Sequence, residues 1–401
     1  MITLMERIRS EAAELTAKMI QTRRDLHKIP ELAFCEEKTA DYICGRLKEI
    51  GLPFERGVAK TGVVALISAE NASHTLLLRA DMDALPMQES KKLPFASEHA
   101  GVMHACGHDG HVAILLAAAE ILWKMREELS CNVKLVFQPA EEDTGGAKPM
   151  IDAGVLENPK VDAALALHIM NELDVGTIRV LDGAVMACPD EFDLKIIGKG
   201  GHGAYPDRCV DPIAIASQII TAFSVLSARC TNVFAPNVIS VCSISGGTFY
   251  NVIPESVTMR GTVRLYDREL RARLPKMMEQ VIKGYTEAFG AEYDWDYRFM
   301  FPPVVNDSAL AESFAGCAEK ILGAENVLRK GSPSMAGDDF SYFGERVPSV
   351  YFNLGGGSDR KGLREALHSP DFNFDEDCLL TGVLSLCCFA VHYGREAEME
   401  S

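Results

Sequence analysis

The chain is 401 residues long and 47% hydrophobic, and it carries a formal net charge of −17. That length suits two domains rather than one core. The acidic balance and the absence of Lys/Arg clusters argue against nucleic acid or an anionic membrane as partner, while a small anionic substrate stays compatible.

The opening stretch MITLMERIRSEAAELTAKMI has the spacing of an amphipathic, charge-studded helix. It lacks the apolar core and small-residue cleavage site of a secretory signal. Apolar runs such as Val112 to Trp123 fall short of a membrane span, so a cytoplasmic protein with no transmembrane helix is expected. The 12 cysteines are scattered, and several, such as Cys387 and Cys388, sit inside apolar helical patterns, so most read as reduced small hydrophobes. Strand-length apolar runs then begin at Gly62, Thr75, Asn132 and Asp162 and alternate with helical patterns, the rhythm of an α/β sheet. Polar residues gather at the ends of these runs: Arg79 and Asp81 in one, and His168, expected to end another. In open α/β sheets the ligand crevice lies outside the carboxyl ends of the strands, so these groups are placed where chemistry usually sits.

Around Met186 the pattern changes. DEFDLKIIGK reads as a strand, Asp211 to Arg229 as a helix, NVISVCSIS and ESVTMRGTVRLY as two strands, followed by a helix from Asp267 and a strand from Ala291. The order strand-helix-strand-strand-helix-strand is the ferredoxin-like split unit. An inserted domain is therefore expected over 185–296, and a discontinuous first domain over 1–184 and 297–401. The first domain resumes with the buried-strand pattern PSVYFNLGGG and a helix from Asp375 to His392.

The chemistry concentrates in HACGHDGH (His104 to His111) and FQPAEED (Phe137 to Asp143). Cys106 and His108 offer a thiolate and an imidazole just ahead of a helix expected to start near Asp109, and the helix dipole favours the thiolate. The bland reading has Cys106 packing apolarly and His108 capping the turn. Glu141 and Glu142 follow an apolar strand, where two carboxylates side by side are costly without a cation; a pair of divalent ions removes that penalty and leaves one carboxylate free to move protons. Their bland reading is a solvated turn. His168 and His368 complete a set of five candidate ligands with Cys106, His108 and one of the two glutamates, the other glutamate serving as the base of a metal-assisted hydrolysis. Of the remaining histidines, His27, His74, His99 and His392 read as surface or packing residues, and His104 and His111 as structural.

Those motifs, together with HKIPELAFCEEKTADYI, RADMDALPM, GKGGHGAYPD, GGTFYNVIPESVTMRGTVR, AGDDFSYF and LHSPDFNFDED, occur in order over nearly the whole chain. The chain thereby resembles the metal-dependent amidohydrolases that include hippurate hydrolases, N-acyl-L-amino acid amidohydrolases and auxin-conjugate hydrolases. The resemblance implies a zinc-peptidase-like α/β catalytic domain with an inserted ferredoxin-like lid that forms a homodimer. It implies two divalent metal ions (Zn2+ or Mn2+) held by Cys106, His108, Glu142, His168 and His368, with Glu141 as general base and Asp83 steadying the ligands. It also implies a small N-acyl amino acid as substrate, reached by His202, typically from the neighbouring subunit, and by Asn251.

Three departures stand out. Peptidase relatives carry His-x-Asp where this chain has Asp81-Met82-Asp83; Cys106 and His108 substitute for the missing histidine, and the thiolate softens the site. Asp338 stands where the family usually has glutamate. Phe249 and Tyr250 stand where smaller residues are common and are expected, with Met335, to line the substrate pocket. Three rival readings remain: a metal-dependent dipeptidase, an amidase with Cys106 as nucleophile and His108 or His168 as its base, and a small-molecule binding protein without catalysis.

Overall fold

A computed structural model describes residues 2–70, 72–143 and 145–400. The chain opens with α1 (Ile2–Lys28), whose buried Ile8, Ala12, Leu15 and Met19 recur every three or four residues and give the helix one apolar face. α2 (Glu37–Ile50) ends at Gly51, whose φ of 80° supplies the left-handed cap. There follow β1 (Phe54–Val58), β2 (Gly62–Ile67) and β3 (Thr75–Asp81), the last buried at every residue. α3 (His108–Lys124), β4 (Asn132–Gln138), α4 (Ala147–Asp152), β5 (Ala163–Asp174) and β6 (Ile178–Arg179) complete this stretch.

β7 (Gly183–Met186) carries the chain out of the first unit. The second unit holds β8 (Cys188–Ile197), β9 (Gly201–His202), α5 (Pro212–Arg229), β10 (Asn237–Ser245), β11 (Val252–Ile253), β12 (Ser256–Leu265), α6 (Arg268–Phe289) and β13 (Glu292–Arg298). Its four-stranded sheet runs β10-β12-β8-β13, antiparallel throughout, the ferredoxin-like arrangement. The expected helices start where their caps sit: the Asp211 side chain accepts from the Ile213 and Ala214 amides, and Asp267 from that of Leu270. In α6, buried Leu270, Leu274, Met278 and Ile282 line one face and join Ile215, Ile219 and Phe223 of α5 in a core with β8 and β12. α5 is long and apolar enough by composition to cross a membrane, yet these residues make it a core helix of this unit.

β14 (Val304–Asn306) brings the chain back, followed by α7 (Ser308–Leu322), β15 (Val327–Leu328), α8 (Ser341–Gly344), β16 (Ser349–Gly357) and α9 (Cys378–Glu400). The first unit's eight-stranded sheet is ordered β1-β2-β4-β3-β5-β16-β6-β15, with a parallel centre from β4 to β16. α1, α3, α7 and α9 pack on one another, and the apolar faces of α3 and α9 also meet the sheet.

Two expectations need correction. The second unit comprises Met186–Val304 and Pro333–Asp338, not 185–296. A boundary at 296 would cut β13, which pairs with β8 through Arg298. His168 does not end its strand either: β5 runs on to Asp174 because β16 continues to pair with it, Asn353 opposite His168 and Leu354 opposite Ile169. β3, on the other side, pairs with β5 only as far as Arg79 opposite Ala166. His168 therefore lies where one flank of β5 has opened, not where the strand stops.

Candidate metal centre

Cys106 precedes Gly107, whose φ of 91° turns the chain into α3, and His108 is the first residue of that helix. The thiol lies 3.3 Å from His168 Nε2 on β5. The helix dipole alone does not make it a thiolate. Burial pushes the thiol well above its ordinary range, and Glu142 and Glu141 push it further. A cation at the sulfur reverses that balance, since a coordinating thiol is deprotonated.

His108 is held by Asp83, which faces its Nδ1 through the backbone oxygen at 3.1 Å and a carboxylate oxygen at 3.2 Å. The other Asp83 oxygen accepts the Glu142 amide at 2.9 Å, so one side chain fixes two of the expected ligands. Burial alone would lower the His108 pKa, but Asp81, Asp83 and Glu142 push it up to about 10. His168 donates Nδ1–H to the Ile169 carbonyl at 2.8 Å and presents Nε2 to the sulfur. Burial and then His111 lower its pKa to about 3, leaving the neutral ring a metal requires.

Glu141 and Glu142 follow β4 on a turn pinned from afar. Ala140 has φ 56°, an uncommon value for a residue with a side chain, and its amide donates to Glu36 Oε1 at 2.9 Å. His368, φ 60°, is likewise tied: its amide donates to the Ala105 carbonyl at 2.8 Å, while its half-exposed ring places Nε2 3.2 Å from Glu142 Oε1. Burial opposes the Glu142 charge, yet His368 and His108 hold its carboxyl below the usual value.

The five expected ligands converge as two groups sharing one sulfur. Cys106, His108 and His168 bring a ligand atom each within 4.8 Å of one another, and so do Cys106, Glu142 and His368. Glu141 falls into a third such group with His108 and Glu142. Two buried atoms at the junction, His108 Nε2 and Glu142 Oε1, form no hydrogen bond of acceptable geometry and stand 3.8 Å apart. Buried polar atoms without a partner cost free energy, and a divalent ion at each group would satisfy both. The sulfur, imidazole and carboxylate donors fit a two-metal centre.

His202 and Asn251 lie in the second unit, side by side: β9 pairs with β11, and the Gly203 amide donates to the Asn251 carbonyl. The Ala204 amide donates to His202 Nδ1 at 3.1 Å, which leaves the proton on Nε2 and makes that exposed nitrogen a donor. Phe249 and Tyr250 stack at 4.4 Å and stand exposed beside them. Asp338 is buried in the Pro333–Asp338 stretch of the same unit. Its neighbour Asp339 accepts from Gln138 at 2.7 Å and from the Ala147 amide at 2.8 Å.

Sequence reading missed the groups that hold the loop. His27, read as surface or packing, is buried with Nδ1 2.7 Å from Asp109, which also takes Arg23 Nε at 2.8 Å. Arg23 reaches Asn373 and Glu376 as well, tying α1 to the first turn of α3 and to the segment after His368. Glu36, inside a charged run, is wholly buried.

Such a sheet with a thiolate-imidazole-carboxylate cluster beside it defines a metal-dependent hydrolase of the zinc-peptidase type. The chain matches the profile of Peptidase family M20/M25/M40 over residues 77–392 and belongs to that family; it is a metal-dependent amidohydrolase. It is 38% identical to a putative amidohydrolase, YhaA, of Bacillus subtilis (98% of each chain), and 37% identical to thermostable carboxypeptidase 1 of Saccharolobus solfataricus (98% and 100%). An N-acyl-L-amino acid amidohydrolase of Geobacillus stearothermophilus is 41% identical over 75% of this chain and 81% of its own. Among solved structures, a putative aminohydrolase from methicillin-resistant Staphylococcus aureus superposes with a TM-score of 0.90 at 33% identity, covering 97% and 99% of the two chains. The Bacillus subtilis YXEP protein, described as a dinuclear metal-binding peptidase, gives 0.82 at 35%, covering 94% and 98%.

Proposed function

We propose that this chain hydrolyses the amide bond of N-acyl amino acids. The observation that carries the reading is the pair of ligand groups sharing Cys106, with Glu141 at their edge and two buried ligand atoms without a hydrogen bond between them. Cys106, His108 and His168 would hold one divalent ion, and Cys106, Glu142 and His368 the other. Bound there, the ions supply a Lewis acid for the carbonyl and a water acidic enough to act near neutral pH. Glu141 takes a proton from the attacking water and returns it to the leaving amine. Asp83 keeps His108 and Glu142 in register, and His202 Nε2–H donates to the negative charge that develops on the carbonyl oxygen.

The names of the relatives support the substrate class. An N-acyl amino acid amidohydrolase and a carboxypeptidase both cleave an acyl–nitrogen bond to an amino acid, which also keeps peptides as a second reading. The nucleophile alternative with His168 as base has the spacing, Nε2 lying 3.3 Å from the thiol, but not the proton affinities: a ring with a pKa of about 3 is a poor base for a thiol pushed above its ordinary value. A homodimer through the second unit is supported by the outer strand β10 and by exposed Val225 and Ile244 on that unit. A cytoplasmic location and an origin for Phe249 and Tyr250 as pocket lining complete the reading.

The test is Glu141→Gln, assayed with acetyl-, benzoyl- and long-chain acyl-amino acids and with dipeptides, alongside metal analysis. Turnover should fall at least about a hundredfold with metal content unchanged, and a chelator should abolish native activity. A glutamine variant at full activity removes Glu141 as the base, and chelator-resistant activity removes the metals.

A further inference from the structure

Where β3 stops pairing with β5, the inner edge of β5 would be left with an unpaired amide at Ile169, buried beside His168. A side chain takes the place of the missing strand. His111, one turn into α3 and wholly buried, accepts the Ile169 N–H on Nε2 at 3.0 Å. That bond fixes the tautomer: Nε2 has no proton, so Nδ1 carries it and donates to Asp81 Oδ1 at 2.5 Å. Asp81 is anchored in turn by Arg79, at 2.6 Å from its other oxygen, and Arg79 also donates to Gln138 at 2.9 Å. Gly110 allows the helix to come this close, since a Cβ there would lie 2.6 Å from Ile169 Cδ1.

Asp81, His108 and His111 also lie close enough together to hold an ion. Both ring nitrogens of His111 are already committed, however, and the group is not a third metal position. Its role points instead at the neighbouring ring. The Ile169 residue that His111 grips by its N–H offers its carbonyl to His168 Nδ1–H, and the His111 and His168 rings meet edge-on at 4.8 Å.

We infer that His111, oriented by Asp81, is a positioning residue that aims His168 at the ion it shares with Cys106, by clamping the peptide between His168 and Ile169. The inference rests on the two-metal reading of the site. It also accounts for the aspartate at position 81, where the peptidase pattern has histidine: this carboxylate orients a ring near the metals instead of adding one to them.

Equal bulk with and without an acceptor separates the hydrogen bond from packing. His111→Gln retains an acceptor for the Ile169 amide, His111→Leu retains the bulk without it, and His111→Asn is polar but too short to reach. Each full-length protein, stripped of metal, is titrated with Co2+ and Zn2+ against a competing chelator, with the cobalt–thiolate absorption followed in parallel and folding checked by circular dichroism. Native protein should bind two ions in separable steps. His111→Leu should weaken one step about 10–100-fold and perturb the cobalt–thiolate band, leaving the other step in place, with His111→Gln near native. Should the leucine variant fail to fold, His111→Asn carries the comparison. A folded leucine or asparagine variant with native affinity at both steps overturns the inference, as does a glutamine variant as weak as leucine. Native protein that takes up no ion overturns the two-metal reading itself.

Discussion

Glu36 is the least conspicuous residue on which the candidate base depends, and its removal has a calculable cost. Its carboxylate accepts the Phe34 amide at 3.0 Å, the Ala140 amide at 2.9 Å and the Thr61 hydroxyl at 2.6 Å, wholly out of solvent. Glu36→Ala leaves the buried Ala140 amide and Thr61 hydroxyl and the part-buried Phe34 amide without that acceptor, at roughly 1–3 kcal/mol each. Freeing Ala140 from a left-handed conformation costing about 1 kcal/mol or more returns part of that loss. The desolvation of the carboxylate, no longer required, offsets part of this, and the net loss is about 3 kcal/mol, or roughly 6 °C in melting temperature for a unit of this size. Because the turn that relaxes carries Glu141, kcat should fall at least about tenfold, with metal content less affected.

Glu36→Gln tests the electrostatics. Burial is the largest influence on the Glu36 carboxyl and raises its pKa above the ordinary value, against the pull of its hydrogen bonds. A raised folded value means the native state binds the proton more tightly than the unfolded chain does. This contribution to stability is therefore complete below the unfolded pKa and is lost as pH rises through the folded one. Glutamine keeps an acceptor for both amides and has no charge to bury, so the variant should lack that decline. Urea unfolding between pH 4 and 8, with steady-state kinetics at each pH, reads both effects. An alanine variant within 1 kcal/mol of native (about 2 °C in melting temperature) and equally active would refute the reasoning.

The remaining predictions concern the centre and its donors. Cys106→Ala should lose both ions, because the sulfur belongs to both ligand groups, whereas His368→Ala should lose one; metal analysis after desalting distinguishes them. His202→Ala should lower kcat about a hundredfold or more without changing metal content, and a fall in metal instead would assign the ring elsewhere. If that ring serves the neighbouring subunit, mixed dimers of Glu141→Gln and His202→Ala protomers should regain part of the native activity, and confirmed heterodimers without recovery would count against it.

The parts of the molecule legible in the sequence are those written in contiguous residues. The alternating runs of the second unit, the aspartates at 211 and 267 and the strand-end position of Asp81 all name their local structure, because caps and periodicity act over a few residues. His108 and the glutamates are legible because imidazole and paired carboxylates are expensive to bury without a use, and Cys106 is legible because of the company it keeps. What depends on partners far along the chain is not. Glu36 meets Ala140 across 104 residues and Arg23 meets Glu376 across 353, and nothing local in EEK or RRD separates a buried acceptor from a solvated charge. The continuation of β5 past His168 is decided by β16, nearly two hundred residues later, and no feature of DAALALHIMNELD announces it. The thiol's high proton affinity likewise follows from burial, and then from carboxylates, that only the fold supplies.

One sulfur common to both ligand groups makes the centre indivisible. A single alkylation or oxidation at Cys106 would strip a donor from each position together, so damage leaves no half-competent enzyme with one ion still in place. Loss of that one thiol should act on activity as an on-off device, and loaded metal should act as the sulfur's own protecting group.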